Sequence, residues 1–234
     1  MFLLAQLQRT DRNEGEAGCV QNDGFCPSWI VDNFDRYVDP FFQHILLTIV
    51  PVAIGFAIAF TLAVLAHRRQ WLTGPVTGVT GFLYTIPSLA FFYLLQPLTG
   101  RGYLTAMIAL TCYTLLIIFR NVSTGLGGVP GEAKDAARGM GLTDRQLLWR
   151  VELPLAMPEI LAGLRIATTT TVGLAALAVF AGAGGLGGPI DADYNFKSNV
   201  AVAGGLAVLL AAALDLMILG IQRAVTPWQR ARAS

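Results

Sequence analysis

The chain has 234 residues, of which 54% are hydrophobic and 13% charged, with a mean hydropathy of +0.58; a soluble domain carries about 25% charge, so disorder and an ordinary water-soluble fold are both poor readings. Sixteen Lys and Arg against fifteen Asp and Glu leave a net charge of +1, without the basic field that holds a nucleic-acid backbone, and no nucleic-acid partner is expected. Cys19, Cys26 and Cys112, with His44 and His67, are too few for a structural metal site.

Taken in order, residues 1–7 are apolar but lack a charged flank and the length of a signal-peptide core, so they read as part of the mature chain. Beyond a short acidic stretch, Ile30, Phe34, Tyr37 and Phe41 recur at helical spacing beside Trp29, with Asp32, Asp35, Arg36 and Asp39 between them. This pattern predicts an interfacial amphipathic helix that ends before Pro40. Runs long and apolar enough for a bilayer of roughly 30 Å then occur at 45–66, within 70–100, at 102–119, at about 158–182 and at about 200–222. The first three are free of charge; the fourth holds Arg165 and the fifth Asp215. Five spans put the termini on opposite faces. One face collects ten basic residues (Arg68, Arg69, Arg120, Lys134, Arg138, Arg145, Arg150, Arg223, Arg230 and Arg232). The other has Arg36, Arg101 and Lys197 near the membrane, with Arg9 and Arg12 far from any span, so the N-terminus is expected outside and the C-terminus inside. Cys19 and Cys26 then face an oxidising space, where a disulfide and two free thiols are both open readings.

The longest inside connection is patterned. Ala133, Ala136, Ala137 and Met140 form a small-residue stripe on a short helix that Gly141 stops, as a left-handed residue would. Thr143 and Gln146 have capping-box spacing and start a second helix, whose apolar face is Leu147, Leu148 and Val151 and whose end is set at Leu153-Pro154. The chain has no Gly-x-x-x-x-Gly-Lys-Ser/Thr, so it encodes no phosphate-binding loop of its own.

The run Asp135-Ala136-Ala137, three residues, Gly141, nine residues, Val151, one residue, Leu153-Pro154 resembles the EAA loop of binding-protein-dependent ABC importer permeases, with Asp for Glu and Val for Ile. Tyr84-Thr85-Ile86-Pro87-Ser88-Leu89-Ala90, the glycine-rich run 182–187 and Thr226-Pro227-Trp228 are similar to the osmoprotectant branch, which takes up glycine betaine, choline or carnitine. The resemblance implies an all-α integral membrane protein of the type I importer permease fold, in the bacterial inner membrane, with five transmembrane helices and a cytoplasmic coupling loop. Residues 1–41 are then an extracytoplasmic segment, 42–225 the permease domain with its loop at 121–157, and 226–234 a cytoplasmic tail. It implies ATPase coupling through Glu132, Asp135, Ala136, Ala137, Gly141, Leu147 and Leu148. Its partners would be cytoplasmic ABC ATPase subunits that bind ATP and Mg, a second permease, identical or homologous, and an extracytoplasmic solute-binding protein. No cofactor and no catalytic residue are expected in this chain, which is not read as an enzyme.

Other features are weighed on their own chemistry. Tyr84, Thr85, Pro87 and Ser88 are candidates to line the pathway: Pro87 breaks the backbone beside two hydroxyls, and an aromatic face attracts a quaternary ammonium ion. Thr169 lies in a threonine run whose hydroxyls either face a polar passage or bond back to the preceding turn. Gly182, Gly184 and Gly187 spell a dinucleotide fingerprint, but no strand precedes them, and a sharp turn is the better reading. A membrane hydrolase fails because His44 and His67 lie at opposite ends of the first span without a nucleophile partner. A secondary transporter would need internal repeats or charges at midplane, and an amino-acid importer of the methionine type remains the alternative for substrate. Arg165 and Asp215 each lie about seven residues, roughly 10 Å, from the same face on consecutive spans, so an intramembrane ion pair is expected.

Overall fold

The computed structural model describes residues 14–228, and the readings made for residues 1–7, Arg9, Arg12, Arg230 and Arg232 lie outside them. Among the described residues every regular element is helical. We number them α1 Glu14–Gln21, α2 Pro27–Asp32, α3 Val38–Arg68, α4 Thr73–Thr85, α5 Ser88–Thr99, α6 Tyr103–Gly127, α7 Gly131–Gly139, α8 Asp144–Leu147, α9 Leu153–Ala175, α10 Gly187–Ala192 and α11 Lys197–Val225. A π-helical turn, Leu148–Glu152, joins α8 to α9, and a 3₁₀ stretch, Ala176–Ala181, follows α9.

Four helical stretches are long and apolar enough to cross a membrane: Phe34–Arg68, Tyr103–Gly127, Asp144–Ala181 and Lys197–Val225. A fifth exists if α4 and α5, bent by 99° at their break, count as one span. At 13 and 12 residues, each arm reaches only about 20 Å, short of a bilayer core on its own. Large side chains such as Leu98, Val208, Leu209, Leu104 and Phe82 are more than half exposed. Such surface needs lipid or protein against it.

The helix bounds differ from the sequence reading in four places. The segment before the first span is two pieces, α2 and a 3₁₀ turn Phe34–Tyr37, divided at Asn33, and only Tyr37 of the expected apolar face is buried. α3 begins at Val38, across the boundary expected at 41/42, because Pro40 falls in its first turn, where the missing N–H has no partner to lose. α6 continues past Phe119 through Arg120 to Gly127, since nothing in 120–127 breaks a helix once Arg120 reaches polar surroundings. Finally, the second loop helix does not stop at Leu153-Pro154. The π turn carries the chain straight into α9, with Pro154 in its first turn and Pro158 inside it.

The chain clusters into two compact units. One gathers the segment ending at Ile49 with Ser88–Ala109 and Val172–Ala212. Its core includes Leu47, Phe92, Leu186 and Phe196, none more than 2% exposed. The other gathers Val50–Pro87, Leu110–Thr171 and the segment from Ala213. Here Ala59, Ala63, Ala66, Ile118, Phe119, Val122, Leu126, Leu153, Ala156 and Ile160 form one cluster across α3, α6 and α9. Small residues let these helices close up: a Cβ on Gly55 would lie 1.8 Å from Thr114 Oγ1, and one on Gly163 2.3 Å from Asn121 Cβ. Close backbone approach of this kind stands in for hydrophobic driving force between helices in lipid.

Candidate functional site

The loop between α6 and α9 is built from two capping devices. α7 ends in a Schellman arrangement: Leu142 N–H donates to Ala137 O at 3.2 Å and Gly141 N–H to Arg138 O at 2.9 Å, with Gly141 at φ +83°. Only a residue without a Cβ holds that φ without strain. Two residues on, Thr143 N–H donates to Gln146 Oε1 at 2.9 Å while Gln146 N–H returns to Thr143 Oγ1, a capping box that starts α8. Between them the loop helix is fixed in aim.

The seven candidate coupling residues divide by exposure. Glu132, Asp135, Ala136 and Gly141 are exposed, and Met140 beside them is 75% exposed. Ala137, Leu147 and Leu148 are buried at 2–3% exposure. They face the chain's own interior, so these three are not part of an accessible docking surface. Asp135 spends its charge locally, 3.6 Å from Arg138 on the same helix.

Beneath the loop lies a constellation with no sequence-local signature. Glu152, in the π turn, keeps only 7% of its side chain exposed. Its Oε1 lies 3.3 Å from Lys134 Nζ of α7, and its Oε2 accepts from His67 Nε2 of α3 at 3.2 Å. His67 also borders a cavity of about 370 Å³, with Ala63, Ala66, Gln70, Thr73 and Ser123.

Arg165 and Asp215 meet in a bidentate fork. Nε donates to Oδ1 at 2.7 Å and Nη2 to Oδ2 at 2.8 Å, the planar geometry in which a guanidinium and a carboxylate bind best. Both side chains are less than a third exposed.

At the break between α4 and α5, Pro87 has no N–H to continue the helix, and it forces Ile86 into an extended conformation, φ −66° and ψ 125°. The stranded Ile86 carbonyl accepts from Tyr113 OH at 2.5 Å. Tyr113 also meets Tyr84 edge to face, centroids 6.1 Å apart. Tyr84 is 40% exposed and Phe82 68%, whereas Phe91 and Phe92 are buried. Thr85 Oγ1 bonds back to Phe82 O at 2.7 Å, and Ser88 is half-buried at the start of α5. Thr168, Thr169 and Thr171 likewise donate to carbonyls of the preceding turn of α9.

The glycine-rich turn is organised by a residue the sequence reading used only to argue against a metal site and a hydrolase. His44 has no exposed surface, and its Nδ1 accepts from Leu186 N–H at 3.2 Å. Its Nε2 then carries the hydrogen and donates to Val172 O at 3.0 Å. Gln43 Oε1 accepts from Gly185 N–H. A close Gly run after an apolar helix, with a histidine at the start of another, was the only available hint.

Cys19 and Cys26 form a disulfide, Cα atoms 6.0 Å apart. The small loop it closes is pinned to the start of α11. Cys26 N–H donates to Ser198 Oγ at 2.7 Å, Ser198 Oγ donates to Gly24 O at 3.0 Å, Tyr37 OH donates to Asn199 Oδ1 at 2.7 Å, and Trp29 meets Phe196 edge to face at 4.7 Å.

Membrane-length helices joined by a loop with an exposed short helix define a helical membrane component. The chain belongs to the family described as binding-protein-dependent transport system inner membrane component, which it matches over residues 52–231. It is a multi-pass protein of the bacterial inner membrane. It is 38% identical over 206 residues to the osmoprotectant import permease protein OsmW of Salmonella typhimurium, covering 85% of this chain and 96% of that one. It is 35% identical to the choline transport system permease protein OpuBB of Bacillus subtilis, over 80% and 87% of the two chains. Among solved structures, a chain of the MetNI methionine ABC transporter in an inward-facing conformation matches with a TM-score of 0.68 at 26% identity, over 81% of this chain and 96% of that one.

Proposed function

We propose that this chain is one half of the membrane pathway of an ATP-driven importer for a small trimethylammonium solute: glycine betaine, choline or carnitine. The observation that carries the substrate class is the identity, over 79–88% of the chain, with relatives named for osmoprotectant, choline, glycine betaine or carnitine transport. In this reading the bent α4–α5 pair is one of five spans, with the N-terminus outside and the C-terminus inside. ATP and Mg are bound by a separate ATPase subunit, a second permease completes the pathway, and an extracytoplasmic binding protein delivers the solute. The exposed face of α7, with Glu132, Asp135, Ala136, Met140 and Gly141, docks on the ATPase. Closure of the ATPase pair then moves the loop and, through it, the spans. Tyr84, Thr85, Pro87, Ser88 and Thr169 line the passage, where the Tyr84 face attracts a quaternary ammonium ion. The methionine-type alternative loses ground on the same identities, although the fold is shared.

The test is uptake of labelled glycine betaine, choline and carnitine by vesicles holding the complete complex, with and without internal ATP and the binding protein. Transport of at least one, dependent on both, is the expected result. Transport of methionine with none of the three overturns the substrate reading.

A further inference from the structure

The buried carboxylate of Glu152 joins two residues that lie 67 positions apart in the chain, Lys134 on α7 and His67 in the last turn of α3. The loop is covalently continuous with α6 and α9, so any push on α7 reaches those helices along the backbone. α3 has no such link. Besides its apolar packing on α6 and α9, it meets the loop helix through this bridge, held where solvent screens little, since the carboxylate is only 7% exposed and Lys134 and His67 about a fifth. α7 is otherwise lightly held. Of its nine residues only Ala137 is buried. A buried charge with two partners resists losing either, because the remaining carboxylate is left undercompensated.

We propose that Glu152 is a positioning residue that clamps α7 to the end of α3, so that the loop helix and this span move as one body when the ATPase closes. The inference rests on the docking of α7 proposed above. It goes beyond it in naming the link through which a span not adjoining the loop is driven. The π turn suits this role, because its widened backbone turn sets Glu152 between Lys134 and His67 on a helix that otherwise runs on into α9.

The test uses the complete complex in a Cys112→Ser background with nitroxide labels at two exposed positions, Arg138→Cys on α7 and Arg68→Cys on α3. Pulsed spin-resonance distances are compared between the nucleotide-free complex and one trapped with ATP. One narrow distance, unchanged by ATP, is expected with Glu152 present, and a distribution that shifts or broadens on ATP binding with Glu152→Gln. Solute taken up per ATP hydrolysed should fall at least roughly fivefold in Glu152→Gln and in Lys134→Met, while Lys134→Arg retains it. The double change should be no worse than either single one. An α7–α3 distance that changes with ATP in the parent, a Glu152→Gln complex that behaves as the parent, or a Lys134→Arg as impaired as Lys134→Met would each overturn the clamp. A cross-link from Ala136→Cys to the ATPase, formed in the parent complex, separates the two ideas: its absence there sinks the docking, whereas its presence with an unaltered Glu152→Gln sinks only the clamp.

Discussion

A histidine with no exposed surface must place both ring nitrogens, and His44 does so between the Leu186 amide and the Val172 carbonyl. Its removal strands two buried backbone groups at once. His44→Ala should therefore destabilise the protein by about 2–4 kcal/mol, read as an earlier thermal transition in detergent. The Arg165–Asp215 fork has a different signature. Because each charge compensates the other, Asp215→Ala and Arg165→Ala should each lower the yield of assembled complex by about threefold or more, and the double change by less than the worse single one. Yields that multiply independently would mean that the fork contributes nothing to assembly. The common depth of the two residues can be counted along the chain, but the fork itself depends on the rotation of two helices about their axes, which no count along a sequence supplies.

The elements were legible where their cause is local. Gly141 and the Thr143/Gln146 spacing announce the end of one helix and the start of the next within a few residues, and Pro87 announces a break. Gly141→Val should leave α7 formed but unable to close its left-handed cap, so transport falls at least roughly tenfold while the ATPase rate without solute does not. Normal uptake by that variant would show that the aim of the loop helix is unimportant. Bounds failed where a rule about single residues met a larger context. Pro40 and Pro154 read as stops but sit in first turns, and Arg120 reads as the end of an apolar run but not of its helix. Glu152 escaped for another reason: its two partners come from two other elements, and hydropathy sees it only as a charge in a loop. The burial of Ala137 was not legible, because a small-residue stripe looks the same whether it packs inward or waits for a partner.

At the scale of the whole chain, the composition settled the solvent and the basic-residue asymmetry proposed the orientation. That orientation is checked by labelling intact cells with a membrane-impermeant maleimide in a Cys112→Ser background. Asp191→Cys, exposed on α10, should react from outside, and Arg145→Cys, exposed on α8, only after permeabilisation. The reverse pattern would invert the topology. What the sequence could not deliver is how its segments sort, since each compact unit is assembled from three stretches of chain and most long helices contribute to both.

The π turn at Leu148–Glu152 has a consequence for which changes of length the gene can tolerate. A π turn is an α-helix carrying one surplus residue, so deleting one exposed residue within it, Trp149 or Arg150, would leave a regular helix from Asp144 onward. Everything before the deletion would rotate by about 100° and shift by about 1.5 Å relative to α9. The membrane part would still fold and insert, yet the loop helix would face a new direction. Single-residue indels in this five-residue window should thus yield abundant, correctly inserted and idle transporters, whereas the same indel in the middle of α9 should yield none.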